Sequence, residues 1–405
     1  MMKLQAPKGF KDYLPEEALK RKVVMDKIKD VFSKFGFDPL ETPTLEFEET
    51  LSGKYGEDEK LIYKFETPGG DKVALKYDQT VPLTRVVAQY GPKGMQLLPI
   101  PFKRYQIQSA YRGENTQKGR YREFTQCDAD IVGINSSLVD AEVVAIAYEI
   151  YKALELDVII KVNDRELLKG IEPKYLAAMD KLNKIGEDGV LAEMVQKGLT
   201  ADEAKSLFEK ITKSEPTPQL LETIKIFKQM GYPEKSIQFD STLIRGLDYY
   251  TGIIMETVLV SNPNASSLGG GGRYDKMIGS FTGNDLPAVG YSVGLDRTIE
   301  AMEEAGIMVA PKTQTKVLVT IFSEDLTGKS LEVASLLRSK KIECELYLDS
   351  EAKLDKQLKY ADTKGIPFAV VIGPDDVEKN TVVLKKLEDR TQESLTLDEL
   401  IKALS

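Results

Sequence analysis

The chain has 405 residues, of which 42% are hydrophobic and 29% charged, and its 55 Lys and Arg against 64 Asp and Glu give a formal net charge of −9. This length accommodates more than one packed domain, and we predict two or three. The acidic total argues mildly against a protein that coats nucleic acid over its whole surface, although a local basic patch can coexist with it.

The residue types that are missing or rare exclude several kinds of chemistry. The chain contains no histidine, which excludes Ser-His-Asp and Cys-His catalysis and histidine-ligated zinc. Cys127 and Cys344 are the two cysteines and lie far apart in the sequence, so neither a disulfide framework nor a four-cysteine metal site is expected. No apolar run approaches the length of a membrane span, and the N-terminal residues lack the apolar core of a signal peptide. We predict a reducing, cytoplasmic location.

The first predicted element is a helix from Glu16 to Phe35, whose apolar residues recur at helical spacing. The next segment, "GFDPLETPTLEFEE", begins with a glycine that can end the helix. It contains Pro39 and Pro43, which suit an edge strand or an interface better than a central strand.

A strand is predicted from Val73 to Tyr77, followed by "DQT" and by a helix with Pro82 near its first turn. Asp78 and Thr80 fall where polar side chains cap a helix. Capping alone is one interpretation, and a helix N-terminus that also collects a charged ligand is the other.

The segment "KRYQIQSAYRGENTQKGRYREFTQ" is predicted as a long hairpin joined by the loop Gly113 to Gly119. Its arginines could grip a nucleotide polyphosphate, since guanidinium pairs with phosphate oxygens through two parallel bonds. A solvated basic face is the alternative. The second strand continues with Gln126, Asp128 and Asp130 at alternate positions, which predicts one polar face.

Residues 163–235 change to short helical segments that are mostly closed by glycine. The predicted strands stop over this range. An all-helical insertion between two strand-rich parts is the simplest interpretation, and nothing in it carries recognisable chemistry.

The segment "RGLDYYTGIIMETVL" sets Arg245 and Asp248 in a glycine-containing turn, followed by Tyr249 and Tyr250 at the start of a strand. Adjacent strand residues point to opposite faces, so we expect one tyrosine in the core and the other beside a pocket. Further on, "LGGGGRYD" permits very close approach of the backbone to a ligand, or forms a flexible hairpin.

The segment "GYSVGLDR" predicts a strand and then a helix starting near Leu295. Arg297 in its first turn could contact an anion or simply be exposed. The stretch "VAPKTQT" is predicted as a linker, and residues 316–405 as a separate α/β domain. Composition alone suggests a structural or oligomerisation module for that domain.

Taken in this order, the segments resemble the class II aminoacyl-tRNA synthetases, and among them the histidyl-tRNA synthetase family. The first helix with "FDPLETPTLE" looks like motif 1, "YRGENTQKGRYREF" like motif 2 and "GYSVGLDR" like motif 3. "RGLDYYTG" and "GGGGRYD" look like the two peptides peculiar to the histidine family. The resemblance covers nearly the whole chain.

The resemblance implies an α+β fold: a class II catalytic domain on an antiparallel sheet flanked by helices, with a helical insertion and a C-terminal α/β anticodon-binding domain. The expected boundaries are residues 1–162 and 236–308 for the two parts of the catalytic domain, 163–235 for the insertion, 309–315 for a linker and 316–405 for the anticodon-binding domain.

The resemblance also implies a two-step reaction in which L-histidine and ATP form histidyl-adenylate and the histidyl group then moves to tRNA(His). Mg²⁺ is expected on the outer phosphates of ATP, with no metal ligands from the protein. A homodimer is expected through motif 1. The reaction needs positioning and charge stabilisation rather than a protein nucleophile, which agrees with a chain without histidine.

The nucleotide roles implied by the resemblance fall on motifs 2 and 3 and on Arg245. Arg112 and Arg245 would act at the α-phosphate as the catalytic residues. Glu114 would read the adenine edge and Phe124 stack on the base. The implied ATP-binding set is Arg112, Glu114, Arg120, Phe124 and Arg297, with Arg120 as a phosphate contact and Arg297 at the γ-phosphate.

The implied histidine-binding set is Asp78, Gln79, Thr80, Arg112, Gln126, Asp130, Arg245, Tyr249 and Tyr250. Asp78, Thr80 and Gln126 would bind the α-amino group. Asp130 and Tyr250 would contact the imidazole, with Tyr249 at the border of the pocket.

Two other functions are compatible with a synthetase-like fold. One is a catalytically inactive regulatory subunit of histidine biosynthesis, but such proteins usually lack the C-terminal domain and have a degraded "RGLDYYTG". The other is an inactive domain that senses uncharged tRNA within a kinase, but this chain has no kinase motifs and its arginines are intact.

Overall fold

The structure, a computed structural model, describes residues 4–116, 119–244, 249–263, 266–307 and 310–405. They divide into two compact units, one from within residues 1–12 and 24–308 and the other from within 13–23 and 309–405. Over these described ranges, every helix is too short or too polar to cross a membrane.

The strands, in chain order, are β1 (Asp38–Pro39), β2 (Leu45–Phe47), β3 (Lys64–Glu66), β4 (Lys72–Leu75), β5 (Phe102–Tyr111), β6 (Glu123–Val132), β7 (Val158–Asp164), β8 (Ile237–Phe239), β9 (Ile253–Leu259), β10 (Gly269–Arg273), β11 (Ala288–Gly294), β12 (Val317–Val319), β13 (Cys344–Leu346), β14 (Phe368–Val371), β15 (Val382–Lys386) and β16 (Thr391–Leu395).

The α-helices are α1 (Pro15–Lys34), α2 (Glu48–Leu51), α3 (Thr80–Tyr90), α4 (Ser137–Ala153), α5 (Pro173–Met179), α6 (Leu182–Gln196), α7 (Ala201–Thr212), α8 (Pro218–Gln229), α9 (Gly279–Thr282), α10 (Leu295–Glu304), α11 (Thr327–Ser339), α12 (Leu354–Lys364), α13 (Pro374–Lys379) and α14 (Leu397–Leu404).

The larger unit is built on an eight-stranded sheet in the order β1-β5-β6-β11-β10-β9-β7-β8 among the described residues. Its inner pairs are antiparallel, and only β1 and β8 join in parallel, at the two edges. Helix α4 packs against this sheet and buries Val143, Val144, Ala147 and Ile150 completely. The α+β fold class is therefore confirmed.

Two predicted elements have the positions that the sequence indicated. The arginine-rich segment forms the hairpin of β5 and β6, with Ala110 opposite Phe124 and Arg104 opposite Asp130. Asp78 accepts hydrogen bonds at Oδ1 from the backbone N–H groups of Thr80 and Val81, both at 3.1 Å, and so caps the start of α3.

Two local predictions differ from the structure. The four glycines do not form a flexible hairpin but the central strand β10, paired on both sides by β9 and β11. Tyr249 and Tyr250 precede β9 instead of lying on it. Their rings therefore do not alternate between faces but pack edge to face, with centroids 5.0 Å apart.

Helices α5 to α7 enclose a hydrophobic cluster of their own, in which Ala178, Val190, Met194 and Ala204 are fully buried. Thr200 and Glu203 form a reciprocal capping box at the start of α7. Thr217 caps α8 and also donates a 2.6 Å hydrogen bond to Asp164 Oδ2 at the end of β7. These contacts explain helical order in a segment without catalytic motifs.

The smaller unit contains a five-stranded sheet in the order β13-β12-β14-β15-β16, with β12 parallel to both of its neighbours. Its core includes Val317, Val319, Leu337 and Ile372, each almost fully buried. Helix α14 covers part of it through the buried Leu400 and Leu404.

Candidate active site

One face of the sheet carries a row of polar side chains with glycines beside them. On β6 the row faces residues of β11 directly, with Gln126 opposite Gly294, Asp128 opposite Ser292 and Asp130 opposite Gly290. Residues of β10 extend the row, because Gly270 pairs with Ser292 and Gly272 with Gly290. Alternation along each strand puts these residues on a common face, which we call the pocket floor. Its members are Gln126, Asp128, Asp130, Gly270, Gly272, Gly290, Ser292 and Gly294.

At two glycines of the pocket floor, the neighbouring atoms leave no room for a side chain. A Cβ atom built on Gly290 would lie 1.9 Å from Asp130 Oδ1, and one on Gly272 would lie 2.8 Å from Cδ1 of Tyr250. Either distance is well inside van der Waals contact. The absence of side chains at Gly272 and Gly290 thus allows Tyr250 and Asp130 to pack directly against the backbone of β10 and β11.

Asp130 is held in the interior by two partners. Its Oδ2 lies 2.8 Å from Nη2 of Arg104, whose side chain is 0% exposed, and the hydroxyl of Tyr274 donates to its Oδ1. Burial raises the pKa of Asp130, while Arg104 and the Tyr274 hydroxyl oppose that rise. Because an isolated buried carboxylate is very costly, this pairing is what permits a charge at the position.

Asp78 closes the pocket from the α3 side. Beyond capping the helix, it accepts hydrogen bonds from the hydroxyls of Tyr55 (3.1 Å) and Tyr249 (3.4 Å). Burial raises the pKa of Asp78, and the hydrogen bond from the Val81 N–H and the nearby Arg112 charge lower it. The capping role and the ligand-binding role predicted for this helix start are compatible with each other, since the capping carboxylate also faces the pocket.

The residues next to Asp78 have different surroundings. Gln79 is fully buried, and its amide donates to the backbone carbonyls of Gln108 (2.8 Å) and Gln126 (3.1 Å). It therefore ties the start of α3 to both strands of the hairpin. Thr80 shares a hydrogen bond with the Tyr249 hydroxyl.

The nucleotide residues predicted on the hairpin come together at its loop end. The Arg112 guanidinium lies 4.4 Å from the ring centroid of Tyr77 and 5.0 Å from that of Phe124. Its Nε donates a 3.1 Å hydrogen bond to the Tyr77 carbonyl. Arg112 thus lies beside the aromatic ring predicted to stack on a base.

Glu114 and Arg120 face each other across the motif 2 loop and form an ion pair in which Arg120 is 45% exposed and Glu114 12%. Arg122 donates through Nε to the Glu114 carbonyl at 3.0 Å. Opening of this pair would free both side chains for a ligand.

Arg297 reaches the same region from α10. A Cβ atom on Gly119 would lie 3.4 Å from Cγ of Arg297 and 2.5 Å from Oε2 of Glu300, so the loop and the helix touch. Nη1 of Arg297 donates to the Ser267 carbonyl at 3.1 Å. Arg245 and Asp248 lie outside the described residues, and the role of Arg245 stays a prediction.

Two protein-family models match this chain. Residues 9–180 and 163–298 match the family model described as histidyl-tRNA synthetase, and residues 308–405 match the one described as anticodon binding domain. The chain belongs to the histidyl-tRNA synthetase family.

Curated relatives cover nearly the full length of this histidyl-tRNA synthetase family member. The histidine--tRNA ligase of Gloeobacter violaceus is 39% identical over 96% of both chains. The one of Clostridium tetani is also 39% identical and covers 98% of this chain and 97% of its own. The one of Aeropyrum pernix is 38% identical with the same coverage.

Solved structures show the same fold. The histidyl-tRNA synthetase of Nostoc has a TM-score of 0.86 and 31% identity, and the alignment covers both chains completely. A Bacillus halodurans chain described as an ATP phosphoribosyltransferase regulatory subunit/histidyl-tRNA synthetase has a TM-score of 0.73 and 21% identity over 89% of this chain and 97% of its own. At that identity the likeness shows the fold alone.

Several buried polar residues of the site were not singled out from the sequence. Arg104 and Tyr274 hold Asp130, Ser292 accepts a 3.0 Å hydrogen bond from the Gln126 amide, and Lys76 donates to Gln108 Oε1 at 2.6 Å. Burial lowers the pKa of Lys76 to about 8, which Glu46 and Asp128 oppose. The signal available for Arg104 was its position opposite Asp130 in a predicted hairpin.

Breaking the buried ion pair should destabilise the fold strongly. For Arg104→Met we expect a loss of about 3–5 kcal/mol in the free energy of unfolding, because Asp130 keeps a buried charge without its partner. The measurement is urea unfolding followed by circular dichroism. The Arg104→Met/Asp130→Asn double variant should lose less than the single variant, whereas Lys213→Met at an exposed pair should show no measurable change. Additive losses in the double variant would contradict the pairing.

The second carboxylate of the pocket floor, that of Asp128, predicts a pH effect on stability. Burial first, and then the neighbouring Asp130, raise the pKa of Asp128 from 3.8 to about 7, against the lowering effects of Arg104 and Ser292. The unfolded chain therefore ionises first, and wild type loses stability as the pH rises from about 4 to about 7, by at most about 1.4 kcal/mol per pH unit. Asp128→Asn escapes this loss, so its stability relative to wild type should be higher at pH 8 than at pH 5 in urea unfolding. An equal difference at both pH values would contradict the prediction.

Proposed function

We propose that this protein is a histidine--tRNA ligase, which activates L-histidine with ATP to histidyl-adenylate and then transfers the histidyl group to the 3′ end of tRNA(His). The observation that carries the proposal is that strand β6 joins two sites. Phe124 at its start lies beside Arg112, and Gln126 and Asp130 follow on the same face as part of the pocket floor. An amino acid on the floor would have its carboxylate directed towards a nucleotide at the hairpin end.

The first step joins the two substrates directly. A carboxylate oxygen of histidine attacks the α-phosphorus of ATP, and the bond to the bridging oxygen breaks as pyrophosphate leaves. Arg112 would stabilise the charge that develops on the α-phosphate, together with Arg245. Phe124 would stack on the adenine, and Arg297 would contact the γ-phosphate.

The pocket floor would supply the amino acid selectivity. Asp78 and Thr80 with Gln126 would hold the α-amino group, and Gln79 would keep α3 docked on the hairpin. Asp78, Asp128 and Asp130 are buried and close enough for their charges to affect one another's pKa. Three such carboxyl groups favour a ligand with several N–H donors. Histidine fits this requirement through its ammonium group and its imidazole.

Mg²⁺ would enter the site bound to ATP. Over the described residues, no group of three or more Cys, Asp or Glu side chains is arranged to hold a metal ion. The phosphate oxygens of ATP are themselves preferred ligands of this ion. When bound there, Mg²⁺ would neutralise charge on the departing pyrophosphate.

The tRNA would be recognised through two parts of the chain. The acceptor end must approach the adenylate, so the motif 2 loop from Gly113 to Gly119 is the candidate for reading it. Residues 308–405 match an anticodon-binding family model, which supports contact with the anticodon of tRNA(His). We place the enzyme in the cytoplasm on the sequence grounds given above.

The central experiment is exchange of labelled pyrophosphate into ATP with each amino acid offered singly. We expect exchange with histidine alone, and a loss of about 10²–10³-fold in Arg245→Ala, which is the scale for removing one donor to a charge that develops in the transition state. Folded wild type that exchanges with no amino acid would overturn the proposal and favour the regulatory-subunit function.

A floor glycine should be essential for the same exchange. In Gly290→Ala the added methyl group would collide with Asp130 Oδ1, so we expect histidine-dependent exchange to fall by at least about a hundredfold, on the scale of a misplaced substrate. The control is Gly328→Ala, because a Cβ at Gly328 meets nothing within 4 Å. Full exchange in Gly290→Ala would show that the floor does not hold the amino acid.

The proposed homodimer is supported by an apolar groove next to the motif 1 segment. The groove encloses about 660 Å³ and is lined by residues that include Leu45, Phe47, Val86 and Leu97. Phe47 and Leu97 are 57% and 69% exposed in the single chain, and exposed apolar patches of this kind mark interfaces. The occupant we propose is a second copy of this chain.

The dimer can be tested by mass. Light scattering during size-exclusion chromatography should give twice the chain mass for wild type and a shift towards the chain mass for Phe47→Glu. Phe322→Glu, at a 48% exposed position in the smaller unit, is the matched control and should remain a dimer. A monomeric wild type would contradict the proposal.

A further inference from the structure

Asp128 lies in the middle of the pocket floor, and one of its two carboxylate oxygens is not hydrogen-bonded within the described residues. It is 4% exposed and sits on β6 between Gln126 and Asp130. The Ser292 hydroxyl is its hydrogen-bond partner, while its Oδ1 is buried and has no hydrogen-bond partner among the described residues. A buried acceptor without a partner carries a desolvation penalty that a ligand donor would remove.

The neighbouring acid is in a different state. Both oxygens of Asp130 are engaged, Oδ1 by the Tyr274 hydroxyl and Oδ2 by Arg104 at 2.8 Å. Asp130 is therefore fixed in place by the protein, and each of its oxygens already has one partner before a ligand binds. Of the two floor carboxylates, Asp128 has the freer oxygen.

A second unpartnered acceptor shows how a ligand would lie. Oε1 of Gln126 is also buried and has no hydrogen-bond partner among the described residues, since only the amide nitrogen of this side chain meets Ser292. Gln126 and Asp128 are two residues apart, which is about 6.6 Å along a strand. One acceptor can serve the amino group of a bound amino acid while the other serves a donor on its side chain.

We propose that Asp128 is a further histidine-binding residue, whose Oδ1 accepts a hydrogen bond from a ring N–H of the bound imidazole and so helps to select histidine. This inference rests on the proposed function. It assigns to Asp128 a contact that the family resemblance assigns only to Asp130 and Tyr250.

The charges around Asp128 give the contact a pH dependence. Burial and nearby acids raise its pKa to about 7, and the charged or titratable groups that face it are Lys76, Asp78, Arg104, Asp130 and Tyr250. The ionised form is the better acceptor, so histidine binding should tighten as the pH rises through about 7. Free histidine titrates in the same range, near 6.5, and only the difference between wild type and a variant isolates Asp128.

The test uses Asp128→Asn in the full-length protein, with histidine-dependent pyrophosphate exchange as the assay. We expect the KM for histidine to rise ten- to a hundredfold, the KM for ATP to stay within twofold, and the part of the pH profile due to Asp128 to disappear. Glu123→Gln is the matched control, since Glu123 lies on the same strand but contacts Tyr111, away from the floor.

A second readout separates a ligand contact from a structural role. The two ring-methylated histidines are tested as inhibitors, each lacking the N–H at one ring nitrogen. Wild type should reject one isomer at least tenfold relative to histidine, and Asp128→Asn should lose most of that discrimination. Asp128→Ser should give the same pattern and replaces the amide variant if that variant does not fold.

The possible results distinguish a failure of the proposed role of Asp128 from a failure of the proposed ligase function. Normal histidine KM in the variants, or a changed KM with unchanged discrimination between the methylated isomers, would overturn the role of Asp128 while the ligase function stands. Folded wild type without histidine-dependent exchange would instead overturn the proposed function itself.

Discussion

The pairing of Asp130 with Arg104 across the β5–β6 hairpin is the constraint on which the rest of the site depends. A carboxylate on the pocket floor would be protonated or destabilising without a cation beside it, because the interior solvates charge poorly. Arg104 is completely buried and so is committed to this task. It also donates a weak 3.4 Å hydrogen bond to the Gln79 carbonyl, which links the pair to the start of α3.

The other features of the floor follow from that pair. Asp130 can lie flat only because Gly290 has no side chain, and Tyr250 can approach β10 only because of Gly272. Glycine is costly in a strand interior, since it packs nothing and loses more backbone freedom than other residues on folding. Of the four in β10, Gly270 and Gly272 belong to the pocket floor, whereas a Cβ on Gly269 would lie 2.4 Å from the Tyr291 hydroxyl on the other face.

Sequence patterns predicted those parts of the site that depend on local periodicity. Alternation placed Gln126, Asp128 and Asp130 on one face, and capping chemistry placed Asp78 at the start of α3. The pattern could not show that Tyr249 and Tyr250 leave the strand, because two adjacent aromatic residues before an apolar run also suit a strand.

Pairing between strands from distant parts of the chain explains the remaining differences between the sequence predictions and the structure. Whether four glycines form a hairpin or a central strand depends on neighbours from distant parts of the chain, here β9 and β11. Likewise, Arg104 is one of several basic residues in its segment, and only the register with Asp130 distinguishes it from Lys103, which pairs with Glu142 near the surface. The roles of individual residues toward ATP and histidine came from the family resemblance.

The most direct test is a crystal structure of the protein with L-histidine and a non-hydrolysable ATP analogue. We expect the imidazole to lie above the pocket floor, with a ring nitrogen within hydrogen-bond distance of Asp128 Oδ1, an unchanged Arg104–Asp130 pair, and the adenine on Phe124. Histidine bound elsewhere, or a pocket floor that rearranges so that Arg104 leaves Asp130, would contradict this arrangement.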